Sequence, residues 1–144
     1  MKKIIVTGGS GFIGSNLVDF LIRKKFFVIN LDKLTYSSNK YKNYLRNKKN
    51  YKLIKIDIVN KKGIIKIIKQ YKPSVIFNLA AETHVDRSID GPNNFIHTNI
   101  NGTFSLLESL RYLKKKNINP RLVHISTDEV YGDIKKGVRS NENH

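Results

Sequence analysis

The stretch Ile4-Ile5-Val6-Thr7-Gly8-Gly9-Ser10-Gly11-Phe12-Ile13-Gly14-Ser15 constrains the fold more than any other part of the chain. Ile4–Val6 is a short apolar run, long enough for a buried strand and too short for a helix. It runs into glycines at 8, 9, 11 and 14, then into Phe12, Ile13, Leu17, Val18, Leu21 and Ile22 at helical spacing. Strand, glycine turn and amphipathic helix together form the first unit of a dinucleotide-binding fold. A side chain in such a turn would clash or hold the backbone away from a pyrophosphate. The helix N-terminus then offers N–H groups and the positive end of its dipole to the phosphates.

Asp32 lies 18 residues beyond Gly14, at the end of a second apolar run, Phe26–Leu31. A carboxylate there accepts both ribose hydroxyls of an adenosine half, and its charge repels a 2′-phosphate, so the expected cofactor is NAD rather than NADP. The spacing Gly8-x-x-Gly11-x-x-Gly14 resembles that of the extended short-chain dehydrogenase/reductases. Gly9-x-Gly11-x-x-Gly14 also fits the older pattern, so the glycines alone leave the branch open.

The alternation continues. Tyr51–Ile56 reads as a third strand ending at Asp57, and isoleucines at 64, 65, 67 and 68 mark a helix that Pro73 stops. Val75–Leu79 is a near-continuous apolar strand of the kind buried on both faces. Lys33–Asn50 reads as a loop with a short helix around Tyr41–Arg46, and Ala80–Gly91 as a loop carrying Glu82, His84, Asp86 and Arg87. Pro92 opens a long helix reaching the run Lys114-Lys115-Lys116, and Leu122–Ile125 is a fifth strand. The expectation is an α/β, Rossmann-type parallel sheet, order 3-2-1-4-5, with helices on both faces. Residues 1–134 form one domain and 135–144 a polar tail. Ligand belongs outside the carboxyl ends of strands one and four, where the order reverses.

Composition narrows the setting. With no cysteine there is neither a disulfide framework nor a thiolate metal site, and the four scattered histidines lack metal-ligand spacing. No apolar run approaches the ~20 residues that span a bilayer, and Ile4–Val6 is too short for a signal peptide, so a soluble cytoplasmic protein is expected. The net charge of +16 raises nucleic-acid binding as an alternative. Its lysines are spread in pairs along the chain beside abundant asparagine and isoleucine. They read as solvated surface, with no nucleic-acid or membrane partner expected.

Asp128-Glu129, following a buried strand, could supply an acid and a base if their surroundings separate their pKa values. From spacing alone, a capped or solvated turn is the better reading. Three longer matches bear on this. Asn78–Ile89, Phe95–Ile100 and His124–Gly132, together with Asp32-Lys33-Leu34-Thr35-Tyr36, closely resemble the dTDP-glucose 4,6-dehydratases. Ser37-Ser38 and Thr83 depart from the usual Ala-Gly and Ser. Nucleotide-sugar epimerases share the glycines but typically lack Thr-Asp-Glu.

The resemblance implies conversion of dTDP-glucose to dTDP-4-keto-6-deoxyglucose and water by transient NAD oxidation at C4, elimination across C5–C6 and hydride return. It implies that NAD meets Gly8, Gly11, Phe12, Ile13 and Gly14 at the turn, Asp32, Lys33, Leu34 and Thr35 at the ribose, and Asp57 and Ile58 at the adenine. Leu79, Ala80, Ala81, Glu82, Thr83 and Thr98 line the rest of its path. Thr83 and Thr127 touch the sugar, with Asp128 as acid and Glu129 as base, and the family pairs as homodimers. His84, Asp86 and Arg87 are assigned to loop structure.

The family also uses a Tyr-x-x-x-Lys pair, which in this numbering falls beyond His144. Literal matches at Tyr36/Lys40, Tyr44/Lys48, Tyr51/Lys55, Tyr112/Lys116 and Tyr131/Lys135 involve five of seven tyrosines, so in a lysine-rich chain they discriminate nothing. A truncated dehydratase that binds NAD weakly and turns over no substrate is expected. The alternatives are a non-catalytic NAD-binding remnant and another nucleotide-sugar epimerase or dehydratase.

Overall fold

The apolar runs pair as a parallel sheet whose first two strands in chain order are buried on both faces, while its edge strands are only partly covered. The computed structural model describes residues 1–39, 48–134 and 137–143. The short helix expected around Tyr41–Arg46 lies outside them. Strand β1 (Lys3–Thr7) leads through the glycine turn into helix α1 (Phe12–Arg23), then β2 (Phe27–Asp32), β3 (Tyr51–Lys55), α2 (Lys61–Tyr71) and β4 (Val75–Asn78). A short helix α3 (Val85–Asp90) follows, then α4 (Asn93–Phe95), a π-helical segment (Ile96–Gly102), α5 (Thr103–Lys114), β5 (Arg121–His124) and a 3₁₀ turn (Asp128–Tyr131). The strand order is β3-β2-β1-β4-β5, as expected, and every pairing is parallel.

Each face of the sheet has its own core. Ile4, Val6 and Val28 pack with Val18, Leu21 and Ile22 of α1. On the other face Ile5, Ile29, Leu31 and Ile76 meet Ile64, Ile67 and Ile68 of α2 and Leu106 and Leu113 of α5. Alternate residues of one strand thus serve opposite layers. Asn60 caps α2, its side chain accepting the Gly63 N–H at 3.0 Å. Lys72, at φ +47°, turns the chain out of α2 ahead of Pro73.

Three details differ from the sequence reading. Val85–Asp90 is helical rather than loop, a turn too short to reveal a period and stopped by Gly91-Pro92. The long helix from Pro92 is interrupted by the π-helical segment, which buries Thr98 and Gly102. Gly102 is needed there, since a Cβ would lie 2.5 Å from the Ile58 side chain. In β4 only Ile76 and Asn78 are fully buried, because Val75 and Phe77 on the α1 side are incompletely covered.

Candidate functional site

The carboxyl ends of the strands open into a cleft with about 520 Å³ of free space. Gly8 and Gly11 form one wall. Leu31 to Lys33 with Thr35, Ser37 and Ser38 come from the end of β2, and Ile56, Asp57 and Ile58 follow β3. Leu79, Ala80, Ala81 and Glu82 follow β4, and Thr98 enters from the π-helical segment. The cleft lies where the strand order reverses, the position expected for a ligand in an open parallel sheet.

The glycines divide into two kinds. Gly8 has φ +68°, and a Cβ there would sit 2.7 Å from the Ala80 backbone; one on Gly14 would sit 2.1 Å from the Gly8 carbonyl oxygen. These two are held by the packing of the turn itself. A Cβ on Gly11 meets only the Gly8 oxygen, at 3.4 Å, an ordinary contact. The folded chain therefore has room for a side chain at Gly11, beside the cleft. Gly11 is also the N-cap of α1 and makes no side-chain cap hydrogen bond, so the first-turn N–H groups stay available to an anion.

Asp32 is built into the turn. Its Oδ2 accepts the Ser10 N–H at 2.9 Å and its Oδ1 accepts the Leu34 N–H at 2.7 Å. The second bond holds Leu34 at φ +60°, a region that branched side chains seldom enter. A carboxylate accepts about four hydrogen bonds, so Asp32 retains capacity for hydroxyls after both. Beneath the turn, buried Asn30 donates to Ser10 Oγ and to Tyr51 Oη, each at 3.0 Å.

Lys33 is the cation among the lining residues. Its Nζ lies 3.7 Å from Asp57 Oδ2 and 3.9 Å from Glu82 Oε1, and donates to Thr98 Oγ1 at 3.3 Å. It offsets two carboxylates that would otherwise repel a phosphate-bearing ligand. His97 Nε2 also lies 3.5 Å from Asp57 Oδ2.

Phe12, Ile13, Gly14, Leu34 and Thr83, also expected at the cofactor, do not line the cleft. Phe12 and Ile13 stand exposed on the first turn of α1, where their N–H groups are what an anion would use. Thr127, Asp128 and Glu129 lie beyond β5, exposed and outside the cleft lining. Thr127 caps the 3₁₀ turn, accepting the Glu129 N–H at 3.4 Å, and its hydroxyl donates to Asp128 Oδ1 at 3.2 Å. This is the capped, solvated turn that spacing alone favoured. Of the decoy pairs, Tyr51 holds Asn30 and Tyr112 packs under Lys116 Nζ at 5.4 Å, both structural roles.

Residues 5–144 match the family model described as GDP-mannose 4,6 dehydratase. The chain belongs to that family. It is 46% identical over 141 residues to dTDP-glucose 4,6-dehydratase of Haemophilus influenzae, covering 93% of this chain and 42% of that protein. The Salmonella typhimurium enzyme of the same name is 47% identical, with 92% and 38% covered. The crystal structure of dTDP-glucose 4,6-dehydratase from Bacillus anthracis in complex with NAD superposes with a TM-score of 0.80 at 39% identity, covering 99% of this chain and 43% of that one. A UDP-glucose 4-epimerase from Thermus thermophilus in complex with NAD gives 0.79 at 27% identity, covering 98% and 43%. The chain spans about 40% of the length of the curated relatives it matches.

The contacts of several polar residues of this family member were not readable in sequence. At the sheet's rim Thr7 donates to Asn78 Oδ1 and accepts the Ala80 N–H at 3.3 Å, while Asn78 Nδ2 meets His124 Nδ1 at 3.0 Å. Thr7 and Asn78 are buried at the ends of apolar runs, where composition reads only strand.

Proposed function

We propose that residues 1–144 supply the NAD-binding cleft of a dTDP-glucose 4,6-dehydratase, the whole protein eliminating water from dTDP-glucose to give dTDP-4-keto-6-deoxyglucose. The observation carrying this is the cleft itself. An uncapped helix N-terminus beside an unobstructed Gly11 suits a pyrophosphate, and Asp32, preset by two backbone donors with lone pairs to spare, suits ribose hydroxyls. The residues present fit the cofactor. NAD, when bound, supplies the acceptor and donor of hydride.

The chain's own groups do the rest. Gly8, Gly11 and the N–H groups of Phe12 and Ile13 cradle phosphate, with Gly14 allowing the turn to close against the Gly8 carbonyl. Asp32 with Lys33, Leu34 and Thr35 holds the ribose, and Asp57 and Ile58 hold the adenine. Leu79, Ala80, Ala81, Glu82, Thr83 and Thr98 form the path toward strand four. Thr83 and Thr127 orient the sugar. Asp128 protonates the departing C6 hydroxyl and Glu129 takes the C5 proton, two protonation states on adjacent carboxyls. An exposed apolar stripe on the π segment and α5 supports pairing of two subunits in the whole protein.

Titration of the 144-residue chain with NAD and NADP, followed by amide NMR shifts up to millimolar ligand, tests the reading. Shifts centred on Gly8–Ser15 and Asp32–Thr35 are expected, with NAD at least about tenfold tighter than NADP. Asp32→Asn should cost roughly tenfold for NAD, a charge-assisted bond's contribution. Equal binding of the two nucleotides would overturn it, while dTDP-glucose turnover by these 144 residues alone would overturn only the expectation that they are inactive.

A further inference from the structure

The wall of the cleft formed by Ala80, Ala81 and Glu82 leaves β4 as irregular chain, yet Glu82 is gripped through both the peptide before it and the peptide after it. The Glu82 N–H donates to Asn99 Oδ1 at 2.8 Å, and Asn99 Nδ2 donates to the Glu82 carbonyl at 2.9 Å. Among short side chains, only a primary amide offers a donor and an acceptor at this spacing. We propose that Asn99 is a positioning residue that sets this wall for the dinucleotide. The proposal rests on the NAD reading given above.

Two further observations converge on it. Glu82, whose backbone N–H and C=O are both held, sends its carboxylate across the cleft mouth, where Oε2 accepts the Tyr36 hydroxyl at 3.3 Å and Oε1 lies 3.9 Å from Lys33 Nζ. Holding its backbone therefore also fixes where the two lips of the cleft meet. Asn99 lies in the π-helical segment, beside Thr98, which is buried and lines the cleft. Such widened turns recur at functional sites because they re-aim neighbouring side chains. Here successive residues reach the cleft directly and the backbone that walls it.

The experiment measures NAD affinity by NMR titration and amide hydrogen exchange on the 144-residue chain and its Asn99→Ala variant. Supporting the proposal, Asn99→Ala loses about tenfold in affinity. Its Glu82 amide exchanges faster, while Ile5 and Ile29 amides and the melting temperature hold. NAD affinity equal to that of the unsubstituted chain would overturn the positioning role while leaving the NAD reading intact. No shift at any NAD concentration in the unsubstituted chain would remove the NAD reading and the proposal with it. Should Asn99→Ala melt as a whole, Asn99→Asp, which keeps an acceptor for the Glu82 N–H, carries the test. Weaker binding with altered exchange at Glu82 then supports the proposal, and unchanged binding overturns it.

Discussion

At the scale of single residues, the glycine turn separates folding from binding. Gly14 is enclosed by the Gly8 carbonyl and Gly11 is not, so identical substitutions should have opposite signatures. Gly14→Ala is expected to destabilise the chain by roughly 1–3 kcal/mol through overpacking, visible as a melting temperature several degrees lower. Gly11→Ala should melt within about a degree of the unsubstituted chain, yet lose most NAD binding, because the new methyl occupies ligand space. Equal thermal losses for the two would show that Gly11 is also a packing glycine. Asp32 is the complementary case. Its spacing from Gly14 was readable, but its two backbone hydrogen bonds were not, since they depend on how the turn folds back over β2.

Among the elements, the parallel sheet and its order were legible because buried strands write long β-branched runs that few other structures need. Ile64, Ile67 and Ile68 announced α2, and all three are buried. The π-helical segment was not legible. Ile96, Ile100, Phe104 and Leu107 keep a helical rhythm, and nothing in that rhythm marks an extra residue in the turn. Asn99 falls within the Phe95–Ile100 match, but its hold on Glu82 was not readable, since a polar residue on an amphipathic helix otherwise reads as surface.

The seam between α2 and α5 carries a charge device. Glu108 accepts from Arg111 at 2.7 and 2.9 Å and lies 3.5 Å from Lys61 Nζ of α2. The Arg111 hydrogen bond foremost holds its carboxyl below the usual glutamate value, against the opposing effect of burial. A lowered folded value means the contribution is present above about pH 4.5 and is lost as the pH falls through the folded value. Glu108→Gln should therefore melt below the unsubstituted chain at neutral pH and converge with it in acid. A pH-independent gap between the two melting curves would contradict this.

For the whole molecule, the two faces are unequally covered. Ile96, Ile100, Phe104 and Leu107 are 48%, 61%, 63% and 49% exposed along one helical stripe. The 144-residue chain is expected to self-associate with concentration in sedimentation velocity, and Phe104→Glu with Ile100→Glu to shift it toward monomer. A doubly substituted chain that associates unchanged would place the contact elsewhere. Among the described residues no helix is long and apolar enough to cross a membrane. The rim network of Thr7, Asn78 and His124 has a mechanical consequence. These residues are register partners on β1, β4 and β5, so their side-chain bonds reinforce the last backbone rungs, Leu79 N–H to Thr7 O and Ile125 N–H to Asn78 O. The tips of three strands are laced into one fixed jaw. Across the cleft from this jaw, Leu34 is held in a left-handed conformation by Asp32 rather than by the sheet.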